Sequence, residues 1–84
     1  MDMSKTRVAV ISIIVDANTN TDSLNALLSE AGEYIIGRMG IPYKVKGISI
    51  ISVAIDAPMD KINSLTGALG RLDGINAKVT YAKV

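Results

Sequence analysis

Gly47-Ile-Ser-Ile-Ile-Ser-Val-Ala-Ile-Asp-Ala57 is the stretch that decides the fold. It is rich in β-branched residues, uncharged as far as Asp56, and bounded by a glycine-bearing turn and Pro58. That is the pattern of a central strand, apolar toward both faces of its sheet. Ser49, Ile51, Val53 and Ile55 make one row; Ile48, Ile50, Ser52 and Ala54 make the other. Neither row is polar enough to favour water.

Outward from there, Val8–Val15 repeats the pattern. Ala9, Ile11, Ile13 and Val15 are wholly apolar, and Val8, Val10, Ser12 and Ile14 are softened only by the serine. The loop Asp16–Asp22 ends in helix-capping residues, Asn20, Thr21 and Asp22. Leu24, Leu27, Leu28 and Ala31 then form one apolar helical stripe, which Gly32 is expected to end in the left-handed conformation. Glu33–Met39 alternates as a second strand. Gly40–Gly47 turns the chain back, with Pro42 expected to loosen the pairing and leave a long hairpin tip.

Beyond the third strand, Pro58 suits the first position of a second helix, with Ile62, Leu65, Leu69 and Leu72 as its stripe. Gly67 and Gly70 lie inside it, each costing roughly 1 kcal/mol against alanine. Close packing against the sheet or a neighbour would explain them. Asp73-Gly74 closes the helix, and Ile75, Ala77, Val79 and Tyr81 alternate with polar residues in a half-exposed last strand. Met1–Thr6 reads as a frayed start.

The order β-α-β-β-α-β predicts a ferredoxin-like α+β sandwich. Two helices lie on one face of a four-stranded antiparallel sheet of order 4-1-3-2, with the two most apolar strands in the middle. The 84 residues make one domain, residues 1–84, with an ordered core over about 6–83.

Composition narrows the function. Nine basic and eight acidic residues leave a net charge of +1 with no basic stripe, so direct nucleic-acid binding is not expected. There is no cysteine and no histidine. Disulfides, thiolate or imidazole metal sites and histidine-based catalytic dyads are therefore excluded. No cofactor is implied, and only an oxygen-ligand cation site stays open. Lys5 and Arg7 before Val8–Val15 imitate a signal peptide, but the apolar run is short and Asp16 ends it. No segment approaches membrane-spanning length, so a cytoplasmic location without membrane contact is expected.

Two short helices cover one side of such a sheet. The other side would carry Val8, Val10, Ile14, Ile48, Ile50 and Ala54. A bare apolar face of this kind predicts a homo-oligomer, dimer or tetramer, formed by stacking faces or pairing edge strands. The alternative is that the tip and termini fold over it. Candidate ligand residues are Asp16, Asn18, Asn20 and Thr21, in a loop before a helix N-terminus that suits an anion or carboxylate. Arg38 with Tyr43, near the hairpin tip, could hold a carboxylate or phosphate. Ordinary capping and a surface ion pair are the simpler accounts. Asp16 and Asp56 end the two central strands and could share a cation or a proton if they approach one another.

Arg38-Met-Gly-Ile-Pro42 and Ile62-Asn-Ser-Leu-Thr-Gly-Ala-Leu-Gly-Arg-Leu-Asp-Gly-Ile75 carry a resemblance that runs over nearly the whole chain. With the spacing of Gly67, Gly70 and Gly74, they resemble the iron-only hydrogenase system regulator family. The resemblance implies a stand-alone ACT-like domain, similar in fold to the C-terminal domain of the nickel-responsive repressor, with a regulatory or sensing role in anaerobic bacteria. It brings no site residues. That repressor binds metal through histidine and cysteine, which this chain lacks, so nickel sensing does not carry over. The repressor's DNA-binding arm is missing too, so any regulation would run through a protein partner. The expected function is a non-enzymatic regulatory oligomer. The alternative is an ACT-like amino-acid-binding regulatory subunit of a metabolic enzyme.

Overall fold

A computed structural model describes residues 5–83. The elements are β1 (Thr6–Asp16), α1 (Asp22–Glu30), β2 (Ile35–Tyr43), β3 (Ile48–Pro58), α2 (Met59–Gly70) and β4 (Ile75–Tyr81), with single 3-10 turns at Gly32–Tyr34 and Lys44–Lys46. The sheet order is β2-β3-β1-β4 and every pairing is antiparallel. This is the predicted ferredoxin-like topology.

The two strands that are apolar on both faces are the two in the middle. They pair without a break from Thr6 opposite Pro58 to Asp16 opposite Ile48. Ala9, Ile11, Ile13 and Val15 of β1, and Ile51, Val53, Ile55 and Ala57 of β3, are buried beneath the helices. They meet Leu24 and Leu28 of α1 and Ile62, Leu65 and Leu69 of α2. Those helical residues recur every three or four positions, so each helix turns a single stripe inward. On the flank, Tyr81 of β4 donates its hydroxyl to Asn63 Oδ1 on α2 at 2.7 Å, and the Arg7 guanidinium sits 4.8 Å from its ring centroid. That contact ties both central and edge strands to α2.

Four local expectations are corrected. Gly32 does not end α1 in the left-handed region; the only positive φ values among the described residues belong to Gly47 and Gly74. The chain instead tightens into a 3-10 turn, with the Tyr34 N–H donating to Ala31 O at 2.9 Å. Pro58 precedes the first residue of α2, with ψ at 143°. Pro42 does not loosen the hairpin: β2 continues to Tyr43, with Pro42 opposite Ser49. An edge strand tolerates proline because one side of its backbone needs no partner. The frayed start is the fourth. Thr6 already belongs to β1, while residues 1–4 lie outside the described residues.

Close packing does not account for Gly70 either. A Cβ built there meets nothing within 4 Å, and one built at Gly67 meets only Arg71 Nη1 at 3.4 Å. Gly70→Ala is therefore expected to raise stability by about 0.5–1 kcal/mol, by narrowing the unfolded ensemble and favouring the last helical turn. A urea titration measures it; a loss of stability would mean that something unseen here occupies that space.

Candidate functional site

The loop after β1 is built by the two left-handed glycines. Gly47 O accepts from Ala17 N–H at 2.8 Å, and Gly74 O accepts from Asp16 N–H at 2.9 Å. Side chains complete it. Asp16 Oδ1 accepts from Asn18 N–H at 3.1 Å, and Asn20 Oδ1 accepts from Asp22 N–H at 2.8 Å. Thr21 takes the cap position of α1 but makes no side-chain capping bond.

The structure divides the predicted ligand residues among three places. Asp16, Asn18 and Asn20 line an open depression of about 470 Å³, closed on its far side by Asp73 and Gly74. Two carboxylates at one rim disfavour the anion expected there and suit hydroxyl or cationic groups. Among the described residues no cluster of three or more metal-ligating side chains exists. Thr21 and Arg38 border a separate groove of about 160 Å³ between α1 and β2, where Arg38 Nη2 donates to Asn25 Oδ1 at 3.5 Å. Tyr43 lies on the other face of the sheet. The register runs unbroken from Arg38 opposite Val53 to Tyr43 opposite Ile48, and five steps reverse the face. Arg38 and Tyr43 therefore do not form one site. Asp16 and Asp56 do not meet either. Asp56 is paired with Val8, at the opposite end of β1 from Asp16, roughly 26 Å away by strand rise. Antiparallel strands put their carboxyl ends at opposite edges of the sheet.

The face opposite the helices is the largest feature. The pairings lay it out in rows from β2 to β4: Gly37, Ala54, Val10, Thr80; then Met39, Ser52, Ser12, Lys78; then Ile41, Ile50, Ile14, Asn76. Tyr43, Ile48 and Asp16 make the next row. All six predicted face residues, Val8, Val10, Ile14, Ile48, Ile50 and Ala54, point to this side. Val10, Ile14, Ile50, Met39, Ile41 and Tyr43 stay open to solvent, from 38% exposed at Ile14 to 59% at Met39, while Val8 and Ile48 are half-buried. β4 contributes only polar residues, Thr80, Lys78 and Asn76, and Ser12 and Ser52 interrupt the middle row, so the large apolar side chains gather on β2, β3 and the Val10 and Ile14 positions of β1. Met39 lay in the predicted strand but was given no face, and Ile41 and Tyr43 were missed because the chain was expected to turn back from Gly40.

A second feature had no sequence signal. A cleft of about 350 Å³ separates α1 from α2 and reaches down to Ile55. Small residues on the facing helices, Ala31, Ser64 and Ala68, hold it open, while Glu30, Glu33 and Lys61 stand at its mouth.

Comparison with known proteins gives this arrangement a relative. A search of curated protein sequences finds no match. Among solved structures, the TM1266 protein from Thermotoga maritima superposes with a TM-score of 0.88 at 28% identity, covering 93% of this chain and 99% of that one. A formyltetrahydrofolate deformylase from Pseudomonas putida matches at a TM-score of 0.62 and 16% identity, over 87% of this chain but 28% of that protein, which is a likeness of fold alone. Among the described residues no helix is long and apolar enough to cross a membrane. The model of the TM1266-like family, described as "Iron-only hydrogenase system regulator, putative", matches residues 7–79, and this chain belongs to that family.

Proposed function

We propose that the chain is a non-enzymatic regulator that acts as a homo-oligomer, two copies stacking through their open sheet faces, and that it serves an iron-only hydrogenase system by binding an effector or a protein partner. The open face carries the reading. Four strands at ~4.8 Å spacing and about ten residues of strand length give a face of roughly 600 Å². Two such faces bury about 1,200 Å², the lower end of stable protein interfaces. Left wet, contiguous valine and isoleucine side chains of this extent are rare on single chains. The lack of histidine and cysteine supports a binding role over a catalytic one.

Light scattering tests it. The native chain is expected well above its monomer mass of 8.9 kDa at micromolar concentration. Ile50→Lys, at the centre of the face, is expected to halve the assembly mass without changing the far-UV circular dichroism. An unchanged mass for that variant would remove the stacking.

The helix cleft favours a second reading, an ACT-like amino-acid-binding regulatory subunit. An apolar floor between carboxylates on one side and an ammonium on the other matches the charge layout of a free amino acid. A thermal-shift series with the amino acids checks it. A rise in melting temperature that Lys61→Ala abolishes is expected on this reading, and a flat response across the series excludes it.

A further inference from the structure

We propose that the trough between α1 and α2 seats an amphipathic helix of a partner protein, its apolar side down, its acidic flank against α2 and its basic flank against α1. The inference deepens the partner-binding arm of the reading above and rests on it.

The helix cleft is one end of a longer feature. A second depression of about 400 Å³ continues from it toward Ser23 and Leu72, with Leu27, Glu30 and Ala68 common to both. Together they run from Lys61 to Arg71, about 15 Å or about three helical turns at 1.5 Å per residue. The floor is apolar and incompletely covered. Leu24 and Leu28 of α1 are buried in the core, but Leu27 is only half-buried, and so is Leu72 beyond α2. The helices do not close over them, and the trough reaches down to Ile55 of β3. A free amino acid would fill only the deep end.

The charges select the occupant. Four charged side chains line the trough, all of them exposed, and they are sorted by wall. Glu30 and Glu33 stand on the α1 side; Lys61 and Arg71 stand on the α2 side. Asp22 and Asp60, the other acids of the two helices, do not line it. Among the described residues no ion pair joins the two walls. An occupant of one charge sign satisfies one wall and opposes the other. A helix meets both, because the flanks on either side of its apolar stripe vary independently, as at the e and g positions of a coiled coil. Lys61 and Arg71 match acids about ten or eleven positions apart on one flank, and Glu30 and Glu33 match bases about one turn apart on the other. This chain supplies no such helix, since the apolar stripes of α1 and α2 face its own core. The occupant is therefore a different protein and not a second copy.

Three synthetic peptides of about fifteen residues test it, each held helical by a lactam bridge on its outer side and all sharing one leucine face. One carries Glu on one flank and Lys on the other, the second Glu on both, the third Lys on both. Fluorescence anisotropy is expected to show the native chain binding the mixed peptide at least about tenfold tighter than either uniform one. Lys61→Glu combined with Arg71→Glu makes both walls acidic and is expected to make the all-Lys peptide the tightest. Both changes are at exposed positions, and circular dichroism confirms that the variant folds. Equal binding of the three peptides by the native chain, or an unchanged ranking in the variant, would overturn the proposal. So would binding of none of them at millimolar concentration; a melting temperature that an amino acid then raises would leave the amino-acid reading standing alone. A fall in the assembly mass of the double variant would overturn it too, because a second copy would then occupy the trough. The same peptide ranking is expected in Ile50→Lys, so loss of the stacked face leaves the inference intact.

Discussion

Gly74→Ala is expected to lower stability by about 2–4 kcal/mol, a large loss from a turn on the surface. Two effects add. Gly74 holds φ at 77°, a left-handed backbone that costs a residue bearing Cβ about 1–2 kcal/mol. An alanine Cβ would also collide with Thr19 Oγ1 and approach Thr19 Cβ and Asp16 Cβ. Relief requires the loop after β1 to move, and that loop is pinned by Asp16 N–H on Gly74 O. A double-mutant cycle with Thr19→Ala separates the two. Removing the hydroxyl is expected to recover the steric part and leave about 1 kcal/mol of backbone cost. Urea unfolding of the four proteins measures it. A single mutant within about 0.5 kcal/mol of native would mean that the two turns are not locked together.

Ile13→Ala should cost more still, about 3–4 kcal/mol. Ile13 is wholly buried between β3 and β4, opposite Ile51 and Ala77. A chain of this length has roughly 4–12 kcal/mol of total stability, so the variant would be close to unfolding at 37 °C. Ile14, one residue along, behaves differently. Its side chain lies on the open face, 38% exposed in the single chain. Ile14→Ala is expected to cost under about 1 kcal/mol at high dilution, with a larger loss at higher protein concentration, where the native chain gains stability from association and the variant gains less. Melting temperatures over a hundredfold concentration range check the pair. A concentration-independent difference at Ile14 would count against a covered face.

The layering was readable because β1 and β3 are apolar on both faces, which only central strands require, and because Leu24 to Leu28 and Ile62 to Leu69 keep helical spacing. The six open-face residues followed from the same alternation. The rest depended on information that spacing does not carry. Pro42 reads as a break until β2 is known to be an edge. Gly32 and Gly70 read as conformational or packing necessities, yet neither has a positive φ or a neighbour within 4 Å of a built Cβ. The ligand residues of the β1–α1 loop were only partly grouped. Neighbours in sequence such as Asn20 and Thr21 border different grooves, and Arg38 and Tyr43 fall on opposite faces by strand parity. The helix cleft left no trace because the small residues that open it also read as ordinary helix formers.

The strand at the middle of the sheet is also the first that the described chain supplies, and its last neighbour arrives at the end: Ala9 pairs with Tyr81. On a ribosome, β1 emerges with both flanks bare; β3 covers one, and the other stays open until β4 is made. Assembly is therefore dominated by contacts distant in sequence, which makes it slow for so small a molecule. During that wait the run from Val8 to Val15 is an unpaired apolar edge, the kind of surface that favours aggregation.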